Sequence, residues 1–212
     1  ANIEDLSVDL DRLEWIFKKE QPAAFILVSV LGLVPDMDRI VELCDEHDVL
    51  LIEDVCESMG SEYKGKKFAF YLPGLNVRST DLQAVIGLRQ VDKIDEFAKI
   101  RNRNFKLYQE LLNDEDSLLN VTDRAGCFTS SFCYPIVSKD RHIIVKRLRD
   151  KGVECRPLIA GSMSMSPMWK KFGSGYSVIP VSTMINKYGF YVPNHQGMTE
   201  DDVKNVVKLI QG

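Results

Sequence analysis

An apolar run near residue 50 ends on two acidic residues. Acidic residues at the end of a buried strand are typical of a ligand site. The run "VLLIEDV" (residues 49–55) has the composition of a buried strand, and it finishes on Glu53 and Asp54. Side chains alternate along a strand, so these two acids should point to opposite faces. In parallel α/β sheets ligands bind at the carboxyl ends of the strands. Asp54 is therefore predicted to be a ligand-facing carboxylate, and the competing interpretation is a solvated strand end.

A second group of polar residues precedes a predicted helix. In "PGLNVRSTDLQ" (residues 73–83), a Pro-Gly turn places Asn76 and Arg78 before the helix, and Thr80 with Gln83 fits a capping box. Helix amino ends favour anions, and an arginine adds positive charge. This pattern predicts phosphate binding, although an ordinary capped helix with solvated polar residues explains it too.

Alternating helical and strand-like segments predict how these groups are positioned. Apolar residues recur with helical spacing in 10–17 and 35–48, while 23–30 and 49–55 are continuously apolar. This order predicts a βαβ unit whose parallel sheet is covered on both faces. Residues 78–112 are predicted to form a long helical region, either straight or bent. Its predicted buried stripe includes Leu82, Val85, Ile86, Ile94, Phe97 and Ile100.

The second half of the chain predicts a smaller unit. A polar, turn-rich stretch places a boundary within 113–130, which divides the chain into domains 1–112 and 113–212. The second domain is predicted to be α+β with a largely antiparallel sheet. Its strands and helices are predicted in "SFCYPIV", "DRHIIVKRLRDKG", "VECRPLI", residues 178–188, "GFYVP" and a last helix opened by Thr199.

Composition excludes several classes of function. The 212 residues carry 27 basic and 31 acidic side chains without a basic stripe, which argues against binding of nucleic acid or anionic membranes. The five cysteines are scattered, form no C-x-x-C pair and have no histidine cluster beside them. They are interpreted as buried thiols in a reducing compartment, not as metal ligands or disulfides. With no signal peptide or membrane-length apolar run, a cytoplasmic protein is expected.

Four stretches of the chain, in order, resemble the nucleotide-sugar aminotransferases of the DegT–StrS type, which are fold-type I pyridoxal-phosphate enzymes. The stretches are "GLVPDMDRIVELCDEHDVLLIEDVCESMGSEYKGKK", "YLPGLNVRSTDLQAVIGLRQVDKIDEF", "GVECRPLIAGS" and "VPNHQGMTEDDV". The resemblance implies part of the large domain of that fold, a mostly parallel sheet with helices on both faces, followed by a small C-terminal α+β domain. It also implies pyridoxal 5'-phosphate as cofactor.

The family also supplies roles for residues around the cofactor. Asp54 stands where the family pairs an aspartate with the pyridine nitrogen, a contact that lets the ring accept electrons. Glu57 stands where the family has a polar side chain, often Gln or His, beside the ring hydroxyl. Asn76 matches the asparagine that reaches the cofactor phosphate of the neighbouring subunit in a homodimer with shared sites, and Arg78 adds charge at that seam.

On the substrate side, the resemblance implicates two further residues. Arg156 in "ECRP" matches an arginine that faces the substrate. Ser162 follows the Ala-Gly pair where the family commonly has an asparagine, so its predicted substrate contact departs from the family pattern.

One segment of the family pattern is missing. The family places several strands, and the lysine or histidine that faces the cofactor aldehyde, between the equivalents of Lys67 and Phe68, which are adjacent here. The family's amino-terminal phosphate turn is also not found. Either the protein has this segment, so that Lys67 and Phe68 are not neighbours in its full chain, or the protein lacks it. The first is favoured, because a true deletion would expose sheet edges.

Three functions remain open from the sequence. The first is amino transfer, from glutamate or a similar donor, to a nucleotide-linked keto sugar for surface polysaccharide or deoxyamino-sugar synthesis. The second is a keto-deoxysugar 3-dehydratase, in which histidine replaces the lysine. The third is a non-catalytic relative that binds a sugar or a partner, because no lysine in the chain occupies the catalytic context.

Overall fold

The computed structural model describes residues 2–66, 80–113, 115, 118–119, 121–159, 161–172 and 179–212. The helices of this part of the chain are α1 (Leu10–Glu20), α2 (Met37–Glu46), α3 (Asp81–Val91), α4 (Ile94–Leu112), α5 (Arg141–Asp150), α6 (Pro167–Phe172), α7 (Pro180–Tyr188) and α8 (Glu200–Gln211). The strands are β1 (Ala24–Val28), β2 (Leu50–Asp54), β3 (Glu62–Tyr63), β4 (Leu118–Leu119), β5 (Cys127–Phe128), β6 (Cys133–Ser138), β7 (Arg156–Pro157) and β8 (Gly189–Pro193).

The predicted βαβ unit is confirmed. Strands β1 and β2 pair in parallel, with Ala24 opposite Leu50 and Val28 opposite Asp54. Helix α2 connects them, and it begins where the Asp36 side chain accepts a hydrogen bond from the Arg39 N–H. Both strands therefore end at the same edge of the sheet.

Within the described residues, helices cover one face of the sheet, so cover of the second face stays a prediction. The odd-numbered side chains of the two strands pack against α1 and α2. They belong to an apolar core, which we call the first core, and Leu27 is buried in it. The even-numbered side chains form what we call the bare face, consisting of Ile26, Val28, Leu50 and Ile52, with exposed fractions between 41% and 63%. The two-stranded sheet has no described layer on this side.

The long helical region consists of two helices. A turn at Asp92 and Lys93 separates α3 from α4, which confirms the predicted bend. Part of the predicted buried stripe is wrong: Val85 and Ile86 of α3 are each 60% exposed. Their spacing correctly predicted a helix, but no described element packs closely against it. By contrast, α4 buries Phe105 and other residues of its carboxyl half.

The C-terminal half contains the predicted antiparallel sheet. Its strand order is β4-β6-β8-β7, and all neighbouring strands run antiparallel. The central strand β6 is buried throughout, and its Tyr134 stacks on Tyr108 of α4 with ring centroids 4.8 Å apart. Thr199 caps the amino end of helix α8, and its hydroxyl and backbone form a capping box with Asp202.

The buried apolar side chains of the described residues form two cores. The first is built from residues 13–49, and the second mainly from residues 105–210. Leu31 and Leu33 lie in the second core, although Leu27 and Val34 on either side belong to the first. The domain division after residue 112 stays a prediction, and α4 places its buried carboxyl half in the second core.

Across the described residues, no helix has both the length and the apolar character needed to cross a membrane. Nor does this part of the chain contain a group of three His, Cys, Asp or Glu side chains arranged to hold a metal ion. The five cysteines are all unpaired.

Candidate active site

Asp54 is the last residue of β2 and lies at the carboxyl end of the sheet, as predicted. Its side chain is exposed, and its Oδ1 accepts a hydrogen bond from the Cys56 N–H at 3.1 Å. Hydrogen bonding by the Cys56 thiol, and then by this N–H, lowers the pKa of the Asp54 carboxyl below its ordinary value. Asp54 therefore carries a negative charge at neutral pH, as a partner for a protonated ring nitrogen must.

The neighbouring acid differs from Asp54. In the sheet Glu53 is opposite the buried Leu27, whereas Asp54 is opposite the exposed Val28. The residue Glu53 as a whole is exposed, yet partial burial of its side chain raises the pKa of its carboxyl. The two acids thus lie on opposite faces, and Asp54 shares its side of the sheet with the bare face.

Three hydrogen bonds join the chain after β1 to the chain after β2, and we call them the carboxyl-end clamp. The Ser29 N–H donates to the Asp54 carbonyl oxygen at 3.1 Å. The Leu31 N–H donates to Glu57 Oε2 at 2.7 Å. The Ser61 hydroxyl donates to the carbonyl oxygen of Gly32 at 2.9 Å. The clamp fixes the backbone at Asp54 and ties the chain that follows it to the turn after β1.

The clamp requires an unusual backbone conformation that the sequence does not predict. Leu31 has φ +59° and Gly32 has φ +76°, both in the left-handed region. Leucine rarely adopts that conformation, and "VLGLV" read only as the end of an apolar strand. The glycine after an apolar run was the one available signal.

The clamp also contacts the C-terminal half of the chain. The Ser130 N–H donates to the Ser61 hydroxyl at 3.1 Å. A Cβ atom on Gly32 would lie 3.0 Å from the carbonyl oxygens of both Glu57 and Ser130. Only a residue without a side chain fits at this junction.

Arg156 lies on the edge strand β7 of the C-terminal sheet. Its exposed guanidinium pairs with Glu154 at 2.7 Å, and this hydrogen bond raises the Arg156 pKa. Across the strands Arg156 faces Tyr191, whose ring packs edge-on against Phe132 with centroids 5.9 Å apart. Phe132 follows directly after Ser131, whose backbone approaches Gly32. A chain of contacts thus links the predicted substrate-side arginine with the clamp.

The remaining predicted site residues differ in how they are placed. Ser162 is 4% exposed, and its hydroxyl bonds those of Ser164 at 3.0 Å and Ser182 at 2.7 Å. Its hydroxyl is therefore engaged within the protein, and its substrate contact stays a prediction. Asn76, Arg78 and the predicted break after Lys67 lie outside the described residues.

Comparison with known proteins identifies the family. The sequence profile of the DegT/DnrJ/EryC1/StrS aminotransferase family matches residues 1–71 and 67–211. A GDP-4-keto-6-deoxy-D-mannose 3-dehydratase of Yersinia pseudotuberculosis is 24% identical over 281 positions, spanning 97% of this chain and 70% of that protein. A GDP-perosamine synthase of Caulobacter vibrioides is 25% identical over 245 positions, spanning 88% of this chain and 65% of that protein.

The fold agrees with solved structures of the same kind. An E. coli GDP-4-keto-6-deoxy-D-mannose-3-dehydratase with bound hydrated pyridoxal phosphate superimposes with a TM-score of 0.85 at 20% identity, covering 99% of this chain and 72% of that one. The fold is that of the fold-type I pyridoxal-phosphate enzymes. The alignment to the Yersinia protein spans more positions than the 212 residues of this chain, and the two profile matches meet at 67–71, at the predicted missing segment. The chain, with Asp54 at the end of its parallel sheet, belongs to the DegT/DnrJ/EryC1/StrS aminotransferase family.

Proposed function

We propose that the protein acts with pyridoxal 5'-phosphate on a nucleotide-linked keto sugar, and that the reaction is transfer of an amino group from glutamate or a similar donor. Asp54 carries this proposal, because it is an ionised, exposed carboxylate at the carboxyl end of a parallel sheet in a chain of this family. Bound pyridoxal phosphate would supply an electron sink for the substrate carbon. Asp54 would hold the proton on the ring nitrogen that makes the sink effective.

Other residues of the chain would orient the reactants. Arg156, exposed on its edge strand, would pair with an anionic group of the nucleotide sugar after exchanging its bond to Glu154. Asn76 and Arg78 would hold the cofactor phosphate of a partner subunit in a homodimer with shared sites. The five unpaired cysteines support a cytoplasmic setting.

Dehydration is the second candidate function. Its support is that the dehydratase relative from Yersinia matches 97% of this chain and the perosamine synthase from Caulobacter matches 88%. The two reactions differ in the residue that faces the cofactor aldehyde, a lysine or a histidine, and that position belongs to the missing segment. A genomic sequence across codons 67 and 68 would show which residue, if either, is encoded.

A cofactor titration tests the proposal. Pyridoxal phosphate is titrated into the wild type, Asp54→Ala and the control Glu53→Ala, and binding is followed by absorbance. Asp54→Ala should weaken binding at least about 10-fold, because the ring nitrogen loses its charge partner. Glu53→Ala, on the opposite face, should bind like the wild type. Equal binding by all three proteins would contradict the role of Asp54.

A product assay separates the candidate functions. The protein is incubated with pyridoxal phosphate, glutamate and GDP-4-keto-6-deoxymannose, and the sugar products are separated by mass. An amino sugar supports transamination, and a 3-deoxy sugar supports dehydration. Cofactor or sugar binding without either product would support the non-catalytic alternative.

A further inference from the structure

We propose that Glu57 is a positioning residue that acts through the turn after β1, rather than by touching the cofactor ring. The carboxylate holds the Leu31 amide, and that turn in turn fixes the backbone of Asp54. The part of this inference that concerns the cofactor rests on the proposed function, whereas the part that concerns the turn does not.

The contact between Glu57 and Leu31 has the features of a strong hydrogen bond. The Leu31 nitrogen and Glu57 Oε2 are 2.7 Å apart, and the two residues are 26 positions apart in the chain. A carboxylate that accepts from a backbone N–H is a charge-assisted acceptor, roughly twice as strong as a neutral one. Leu31 is fully buried, so its amide would have no water to replace this acceptor.

The turn depends on such a contact because its backbone is strained. Leucine at φ +59° is unfavourable, since its Cβ atom crowds the backbone in the left-handed region. Such conformations persist only where the surroundings enforce them. On one side the Leu31 side chain is held in the second core, and on the other its amide is held by Glu57.

The turn is directly bonded to the residue proposed to carry the chemistry. Ser29, two residues before Leu31, donates its N–H to the Asp54 carbonyl oxygen. Glu57 is itself three residues after Asp54, so both ends of the segment 54–57 are fixed to the same turn. Loss of the hydrogen-bond acceptor at Glu57 should therefore loosen the backbone that positions Asp54.

Amide exchange in the cofactor-free protein tests the turn directly. Hydrogen exchange at the Leu31 amide is measured by NMR in the wild type, Glu57→Ala, Glu57→Gln and the control Glu62→Ala. Glu57→Ala should speed exchange at Leu31 at least about 10-fold, since the amide loses its acceptor. Glu57→Gln keeps an acceptor and should restore most of the protection, and Glu62→Ala should resemble the wild type. Unchanged exchange at Leu31 in Glu57→Ala would overturn the proposal.

Cofactor titration of the same variants separates positioning from ring contact. Glu57→Ala should bind pyridoxal phosphate more weakly, whereas Glu57→Gln should bind it with the affinity and absorption maximum of the wild type. A shifted absorption maximum in Glu57→Gln would indicate direct contact with the ring and would overturn the proposal.

Two further outcomes are covered by the design. If Glu57→Ala does not fold, Glu57→Asp replaces it, because its side chain is one methylene shorter and should no longer reach Leu31. If neither the wild type nor any of the variants binds pyridoxal phosphate, the proposed function fails. The exchange rates at Leu31 then still confirm or overturn the role of Glu57 in the turn.

Discussion

At the scale of single residues, Gly32 shows how closely the two halves of the chain approach each other. A Cβ atom there would meet two carbonyl oxygens at 3.0 Å, and the residue has a left-handed φ. Gly65 is a matched control, because its φ is also left-handed but a Cβ would meet nothing within 4 Å.

We expect Gly65→Ala to lower the free energy of unfolding by about 1–2 kcal/mol, the cost of left-handed alanine. Gly32→Ala should cost more, because backbone atoms of Glu57 and Ser130 must also move, for a total of roughly 3 kcal/mol or above. Urea unfolding of both variants measures the difference. Equal losses would show that the junction at Gly32 can widen freely.

A second residue-scale prediction concerns the buried thiol of Cys133. Burial raises its pKa from 9.0 to about 12 in the folded protein. The thiol therefore contributes stability that is fully present below pH 9 and is lost as the pH rises toward 12, because the unfolded chain releases its proton first. At pH 10.5 the loss should be about 2 kcal/mol.

Chemical unfolding at pH 8 and pH 10.5 tests this prediction. Cys133→Ala should lose less stability than the wild type between these pH values, and the difference should match the thiol contribution. Contributions from the buried Tyr108 and Tyr134, whose pKa values are also raised by burial, are common to both proteins. An identical pH dependence of the two proteins would refute the assignment.

At the scale of elements, the amino end of α8 is held by a capping box. The Thr199 hydroxyl accepts from the Asp202 N–H, and the Asp202 carboxylate accepts from the Thr199 N–H at 2.8 Å. Thr199→Ala should lower the melting temperature, with a cost of about 1 kcal/mol. Thr122→Ala, an exposed threonine outside any helix or strand, is the control and should change little.

Sequence periodicity predicted most elements but not their environment. The βαβ unit, the antiparallel sheet and the Thr199 cap follow from local patterns of apolar and capping residues. The exposure of Val85 and Ile86 does not, because a periodic stripe encodes a helix and not the layer that meets it. The predicted strand "VECRPLI" shrinks to Arg156 and Pro157, which form the edge of the described sheet, a position where a strand proline is tolerated.

The candidate site likewise has one feature that the local sequence predicts and one that it does not. Asp54 could be placed at a strand end from its own segment. The bond from Leu31 to Glu57 could not, because it joins residues 26 positions apart and requires a left-handed leucine. No local signal encodes such a contact, which depends on how the C-terminal half closes over the turn.

At the scale of the whole molecule, the two faces of the β1–β2 sheet predict opposite responses to mutation. Ile26→Ala on the bare face should change the free energy of unfolding by no more than about 0.5 kcal/mol. Leu27→Ala, one residue away in the first core, should cost about 2–5 kcal/mol. Thermal unfolding of both variants is the measurement. A large loss from Ile26→Ala would show that a further layer covers this face in solution.

The crossing of Leu31 and Leu33 into the second core affects how the chain folds during its synthesis. Their partners in that core extend to Ile210, which the ribosome adds long after residue 33. At about 5–20 residues per second, synthesis from Leu33 to Ile210 takes at least on the order of 10 s. During that interval the newly made first half of the chain exposes these leucines to solvent. We therefore expect chaperones that bind short apolar segments to bind this half.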